Sequence, residues 1–225
     1  MKKIIVTLLV LLIGICYAPG VQSATIGLYD WAFYIDGTTY EYSNGDVMPT
    51  TGALTNGLGT LTWSTSAAGS HTIIAFFDHE IDEAINTFFN EYGDTDGSPS
   101  AGQSWEIDEP GYAFGDIYSN VLSGSLDNFN GVPLSAPDDV SMALGWDFSL
   151  NSGESALITF YLLDTIDGAP FYLIHTDPDS QSSIYFASTL EIRGDGQPIP
   201  EPSTLLMVGS GLAIVVSFGR KRFLK

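Results

Sequence analysis

Asp94-Thr95-Asp96-Gly97 opens like an oxygen-ligand loop for a hard cation, and Asp177-Pro178-Asp179-Ser180 is a second acidic turn. Carboxylates two residues apart can each lend an oxygen to calcium. Asp94, Asp96, Asp177 and Asp179 are therefore the candidate metal ligands. Neither segment completes an EF-hand, which needs a third Asp or Asn where Ser98 stands and a Glu where Trp105 stands. Acidic turns in so anionic a chain are more often solvated turns. The cofactor expectation is none, with calcium as the alternative.

Asp78, Glu80, Asp82 and Glu83, or Glu106, Asp108 and Glu109, supply carboxylates of the kind that pair in glycoside hydrolysis. In so acidic a body some pair reaches catalytic distance by chance, so no catalytic residue is assigned and the chain is read as a non-enzyme. His71, His79 and His175 lack an H-E-x-x-H or G-x-S-x-G context, since Glu83 stands where a second zinc-binding histidine would be. Trp31, Trp63, Trp105 and Trp146 could stack on sugar faces. Alternation explains Trp146 as core; Trp105, in a segment bounded by Gly and Pro and read as a loop, is the glycan-binding candidate.

All 27 acidic residues follow residue 24, and only Glu201 lies beyond Ile199, leaving 26 in the body. Six of the seven cations lie at the two ends, so Arg193 is the body's one base and its formal charge is −25. Such a surface repels nucleic acid and anionic lipid, which excludes a nucleic-acid partner. Cys16, the single cysteine, falls in the leader described below, so the mature product is expected to have no disulfide, catalytic thiol or Cys-ligated metal.

The elements that must position these groups are strands. Val140 to Leu150 alternates large apolar even positions with small or polar odd ones. After the turn residues Asn151-Ser152-Gly153-Glu154 comes Ser155 to Leu163, apolar on both faces, and the two runs are expected to form a hairpin with the second strand innermost. Tyr29 to Ile35 and Thr38 to Tyr42 flank Asp36-Gly37, a tight-hairpin turn. Leu58 to Thr65, Thr72 to Phe77, Gly111 to Tyr118, Phe171 to Thr176 and Ser183 to Arg193 bring the expected strands to about nine. Glu80 to Tyr92, with Ile81, Ala84, Ile85, Phe88 and Phe89 on one helical face, is expected to be the one short helix. The fold class is all-β, an antiparallel β-sandwich or its jelly-roll variant, as one domain over 25–193 with a stalk at 194–199.

Met1-Lys2-Lys3 followed by the uncharged run Ile4 to Cys16 reads as a secretory signal peptide over 1–24. Small residues place the signal-peptidase site at Ser23 or Ala24, so signal peptidase and the Sec export machinery are expected partners. At the other end, Pro198-Ile199-Pro200-Glu201-Pro202-Ser203 is followed by an uncharged stretch, Thr204 to Phe218, and the basic tail Gly219 to Lys225. Alternate prolines hold an extended, accessible segment. The stretch is an expected single apolar membrane helix, and the cations hold the tail on the cytoplasmic side.

This order of Pro200-Glu201-Pro202, apolar helix and Arg-Lys-Arg cluster over 200–225 resembles a PEP-CTERM sorting domain. The resemblance implies an exosortase-type enzyme acting at Pro200, Glu201 and Pro202, and a Gram-negative, exopolysaccharide-producing host. It implies transient inner-membrane anchoring followed by display at the cell surface or release. The functional expectation is an exported surface or matrix protein without catalytic activity; the alternative is a calcium-assisted, exopolysaccharide-binding, adhesin-like module.

Overall fold

A computed structural model describes residues 24–82 and 87–194. The bulk of the leader with Ser23, the tail with Pro200, Glu201 and Pro202, the stalk beyond Gly194, and Glu83 lie outside the described residues. Among those described, no helix is long and apolar enough to cross a membrane.

The described residues form eleven strands that pair antiparallel in two sheets. In chain order they are β1 Ile26–Ile35, β2 Thr38–Glu41, β3 Thr51–Thr55, β4 Leu58–Thr65, β5 Gly69–Ile81 and β6 Tyr92–Gly97. There follow β7 Gln103–Asp108, β8 Ser141–Leu150, β9 Ser155–Leu163, β10 Phe171–Asp177 and β11 Ser182–Arg193. The five-stranded sheet runs β2-β1-β5-β8-β7 and the six-stranded sheet β3-β4-β9-β11-β10-β6. Helix α1, Ile117–Ser123, lies on the outside of the five-stranded sheet.

Alternation along each strand creates two cores. Odd residues of β5, including Ile73, Ala75 and Phe77, face the other sheet and join Phe33, Phe160 and Phe186 in the main core. There Phe77 meets Phe33 and Phe186 edge to face, with centroids 5.7 and 5.2 Å apart, an arrangement aromatic quadrupoles favour. Even residues Ile74 and Phe76 face outward, where Ile117 and Val121 of α1 cover them together with Ala32 and Ala143. Small odd residues of β8 leave room for this third layer; a Cβ on Gly145 would stand 2.6 Å from Ser104 Oγ.

The Asp36-Gly37 hairpin forms as expected, with φ of 49° and 88° at the two turn residues. Four local expectations are corrected. β8 and β9 are not a hairpin: β8 pairs with β5 and β7, while β9 pairs with β4 and β11, so residues 151–154 carry the chain from one sheet to the other. Of the expected Glu80–Tyr92 helix, Ala84 and Ile85 lie outside the described residues; its start is the end of β5, because Ile81 continues the inward odd series, and Phe88–Asn90 form a 3₁₀ turn before Tyr92 opens β6. Gly111 to Tyr118 is not a strand; Ile117 and Val121, one helical turn apart, nucleate α1, which ends at Gly124 with φ 76°. Finally, Trp105 and the Asp94–Gly97 segment lie in strands β7 and β6 and not in loops.

Candidate functional site

Period-two geometry places Asp78 and Glu80 on the outer face of β5, in line with Ile74 and Phe76 but beyond the cover of α1. Their cross-strand neighbours are also acidic. Asp30 of β1 pairs with Asp78, and a bulge between Leu28 and Asp30 sets this register; without the one-residue shift Asp30 would oppose Phe77. On the other side Asp78 pairs with Ser141 of β8, and extending that register by two residues brings Asp139 opposite Glu80.

Asp78, Glu80 and Asp139 each turn an oxygen toward a common point, all within 4.8 Å of one another. They lie in a cleft of about 470 Å³. Its rim is aromatic: Tyr29, Phe88, Phe89, Tyr112 and Phe114 line it, and Phe114 is 72% exposed. The hydroxyl of Tyr112 donates to Asp30 Oδ2 at 2.8 Å and stands 3.5 Å from Asp78 Oδ2. Asp30 Oδ1 accepts the backbone N–H of Trp31, so both oxygens of Asp30 are engaged. Asp78, 1% exposed, keeps Oδ1 without a hydrogen-bond partner, as does the buried Oδ1 of Asp139.

Among the described residues the cluster's neighbours are acids and a tyrosine. Arg193, the single Lys or Arg of the described residues, donates to Glu191 at 2.6 Å. Burial, followed by the charges of Asp139, Glu80, Asp30 and Glu91, pushes the Asp78 carboxyl up to about 9. Burial, then Glu91, raises Asp139 to about 6. Behind the cleft, His175 Nε2 and Glu91 Oε2 are 2.6 Å apart, both side chains 1% exposed. Burial raises Glu91 and lowers His175, each toward its neutral form.

A second carboxylate cluster, Glu106, Asp108 and Asp116, has the same spacing but different chemistry. Asn120 Nδ2 and the Asp127 N–H donate to Glu106, and the Asp116 N–H donates to Asp108 Oδ2. Those hydrogen bonds fasten α1 and its flanking loops to β7, a structural use. Burial still raises Glu106 to about 7.

The candidates read from sequence are placed elsewhere. Asp94 and Asp96 lie on β6 and neither joins a carboxylate cluster; Asp96 accepts from Tyr172 at 2.6 Å. Asp177 caps its turn by accepting the N–H groups of Asp179 and Ser180, and Asp179 accepts from Asn90. The Trp105 ring is half-buried and packs edge to face on Phe171. Trp31 and Trp146 belong to the main core and Trp63 packs against it. His79 points inward, with Nε2 on the Gly57 carbonyl. Asp78 and Glu80 were visible in the sequence as carboxylates of one run; Asp30, Asp139 and Tyr112 were not, because only strand pairing and the α1 approach loop bring them there.

No curated protein and no solved structure matches the chain. The C-terminal region does match a family model, the PEP-CTERM protein-sorting motif, over residues 198–222, beginning five residues past the end of β11. Pro200, Glu201 and Pro202 fall within that match, and the chain is thereby a bearer of the PEP-CTERM sorting signal, the mark of an exported, membrane-processed protein.

Proposed function

We propose that this chain is an exported cell-surface or extracellular-matrix protein, cut at Pro200-Glu201-Pro202 by an exosortase-type transpeptidase and displayed or released as its acidic β domain. The family match over 198–222 carries the reading. The position of the motif supports it, since the last strand closes at Arg193, leaving six residues before Pro200. On this reading the signal peptide delivers the domain through the export machinery, the C-terminal apolar segment retains it for processing, and the domain has no turnover of its own. The test is intact-mass analysis of wild type and Glu201→Ala from membranes and medium of the native host. Loss of the tail in wild type alone is expected. A wild-type mass that retains Lys225 would overturn the proposal.

A second reading, an exopolysaccharide-binding module, is favoured by the cleft, where exposed aromatic rings stand around carboxylates that can accept hydrogen bonds from sugar hydroxyls. Retention on host polysaccharide, weakened by Phe114→Ala or Phe89→Ala, is its expected result. Equal retention of both variants and wild type would remove it.

A further inference from the structure

We propose that Asp78, Glu80 and Asp139 bind one divalent cation of the calcium class on the floor of the aromatic cleft. Four observations converge on this site and on no other cluster of the described residues.

The first is spacing. Oxygens that share a calcium ion at about 2.3–2.6 Å stand no more than about 5 Å apart. The three carboxylates meet that limit, with oxygens within 4.8 Å. The second is chemistry. All three ligands are hard carboxyl oxygens, and the cleft has room for water to complete six to eight positions. A flexible coordination shell suits calcium better than magnesium, which demands a tight octahedron.

The third is an unmet demand for a positive partner. Asp78 Oδ1 is buried in a residue 1% exposed and has no hydrogen-bond donor, and Asp139 Oδ1 is likewise unpartnered. Leaving a buried polar atom unpaired is costly, and more so for a carboxylate. The Glu106 cluster has the same spacing, yet backbone and Asn120 N–H groups satisfy its buried acids. The two clusters thus separate acids serving as caps from a set in which Asp78 and Asp139 each keep one buried oxygen without a donor.

The fourth is register. Like charges directly opposite across a sheet destabilise it, and here Asp30 faces Asp78 while the extended register sets Glu80 against Asp139. The β-bulge in β1 creates the first of these juxtapositions. The Tyr112 hydroxyl donates to Asp30 Oδ2 and stands beside Asp78 Oδ2, while Asp78 Oδ1 keeps no donor and Asp78 shares the cluster with Glu80 and Asp139. A divalent cation between the strands converts this repulsion into a cross-strand tie linking β5 to the start of β8. The site stands independently of sugar binding and of C-terminal processing.

The test uses the full chain in detergent, stripped with chelator and titrated with calcium chloride by calorimetry. One saturable site per chain is expected, with affinity lowered about tenfold or more in Asp139→Asn and in Glu80→Gln. Asp116→Asn, in the second cluster, should bind as wild type does. Thermal melts in chelator identify any variant that fails to fold. If Asp139→Asn melts out, Glu80→Gln decides alone. Absence of saturable heat in wild type, or wild-type affinity in a folded ligand variant, overturns the proposal. So does a gain in chelator-state stability by the variants with no calcium-dependent stabilisation of wild type, since the carboxylates would then only share protons.

Discussion

Nδ1 of His71 lies 2.7 Å from Asp36 Oδ2, and Nε2 of the same ring lies 2.8 Å from the Ala67 carbonyl oxygen. Both nitrogens face acceptors, so the ring satisfies both only as an imidazolium donating twice. The pair ties the β1–β2 turn to β5, and the Asp36 hydrogen bond raises the His71 pKa above its ordinary value.

A raised histidine pKa stabilises the fold fully below about 6.5, and the contribution is lost as pH rises through the folded-state value. Wild type should therefore exceed His71→Gln in stability by about 1 kcal/mol at pH 5.5, the exposed Asp36 limiting the gain. The gap should narrow above neutrality. Paired thermal melts from pH 5 to 9 check this, and a gap that widens with pH contradicts the imidazolium assignment.

Glu106 presents the opposite chemistry with the same sign. Burial raises its carboxyl to about 7, so its neutral form suits the fold, and stability falls as pH rises from the unfolded value through 7. Glu106→Gln removes that alkaline penalty while sacrificing an acceptor for the Asp127 N–H. Relative to wild type, the variant should gain about 1 kcal/mol between pH 5 and pH 8, the two hydrogen bonds and solvent screening the remainder. Urea unfolding at the two pH values measures the change.

Ser188 Oγ receives both the indole N–H of Trp146, at 2.9 Å, and Gln103 Nε2, at 3.2 Å. One hydroxyl thus serves two donors between the sheets. Ser188→Ala strands both and should cost about 2–4 kcal/mol, whereas Ser188→Thr, which keeps the hydroxyl, should cost clearly less. Chemical denaturation with tryptophan fluorescence follows both variants.

Phe77 joins both sheets through its edge-to-face contacts with Phe33 and Phe186. Phe77→Ala should cost about 3–5 kcal/mol by opening a cavity at the centre of the sandwich. Phe89→Ala, at the exposed cleft rim, should stay within about 0.5 kcal/mol of wild type in the same urea titration.

Strands with one buried face and a clear turn were legible in the sequence. Leu58 to Thr65 and Ser155 to Leu163 match β4 and β9 at both ends, and Asp36-Gly37 announced its hairpin. Asn56-Gly57 offered an equally strong signal, with φ of 51° and 78°, but β3 holds one large apolar residue, Leu54, and so shows no alternation. α1 was hidden because its buried positions, Ile117 and Val121, span a single turn, too short for a period. The sheet change at 151–154 was illegible in principle, since local turn chemistry does not name a strand's partner. The cleft was half legible: Asp78 and Glu80 share a strand, but Asp139 lies about sixty residues away and joins them only through the β5–β8 register.

Among the described residues β6 is the last strand of the six-stranded sheet; Val132 and Asn130 cover its Gly93 backbone, and the N–H groups of Thr95 and Gly97 donate to the side chains of Asp94 and Asp96. Asp94 and Asp96, first read as cation ligands, stand along that rim. When two copies meet edge to edge, each rim meets another of the same sign. The two carboxylates thus both occupy edge donors and set like charge against like, which guards the strand against pairing with its own kind.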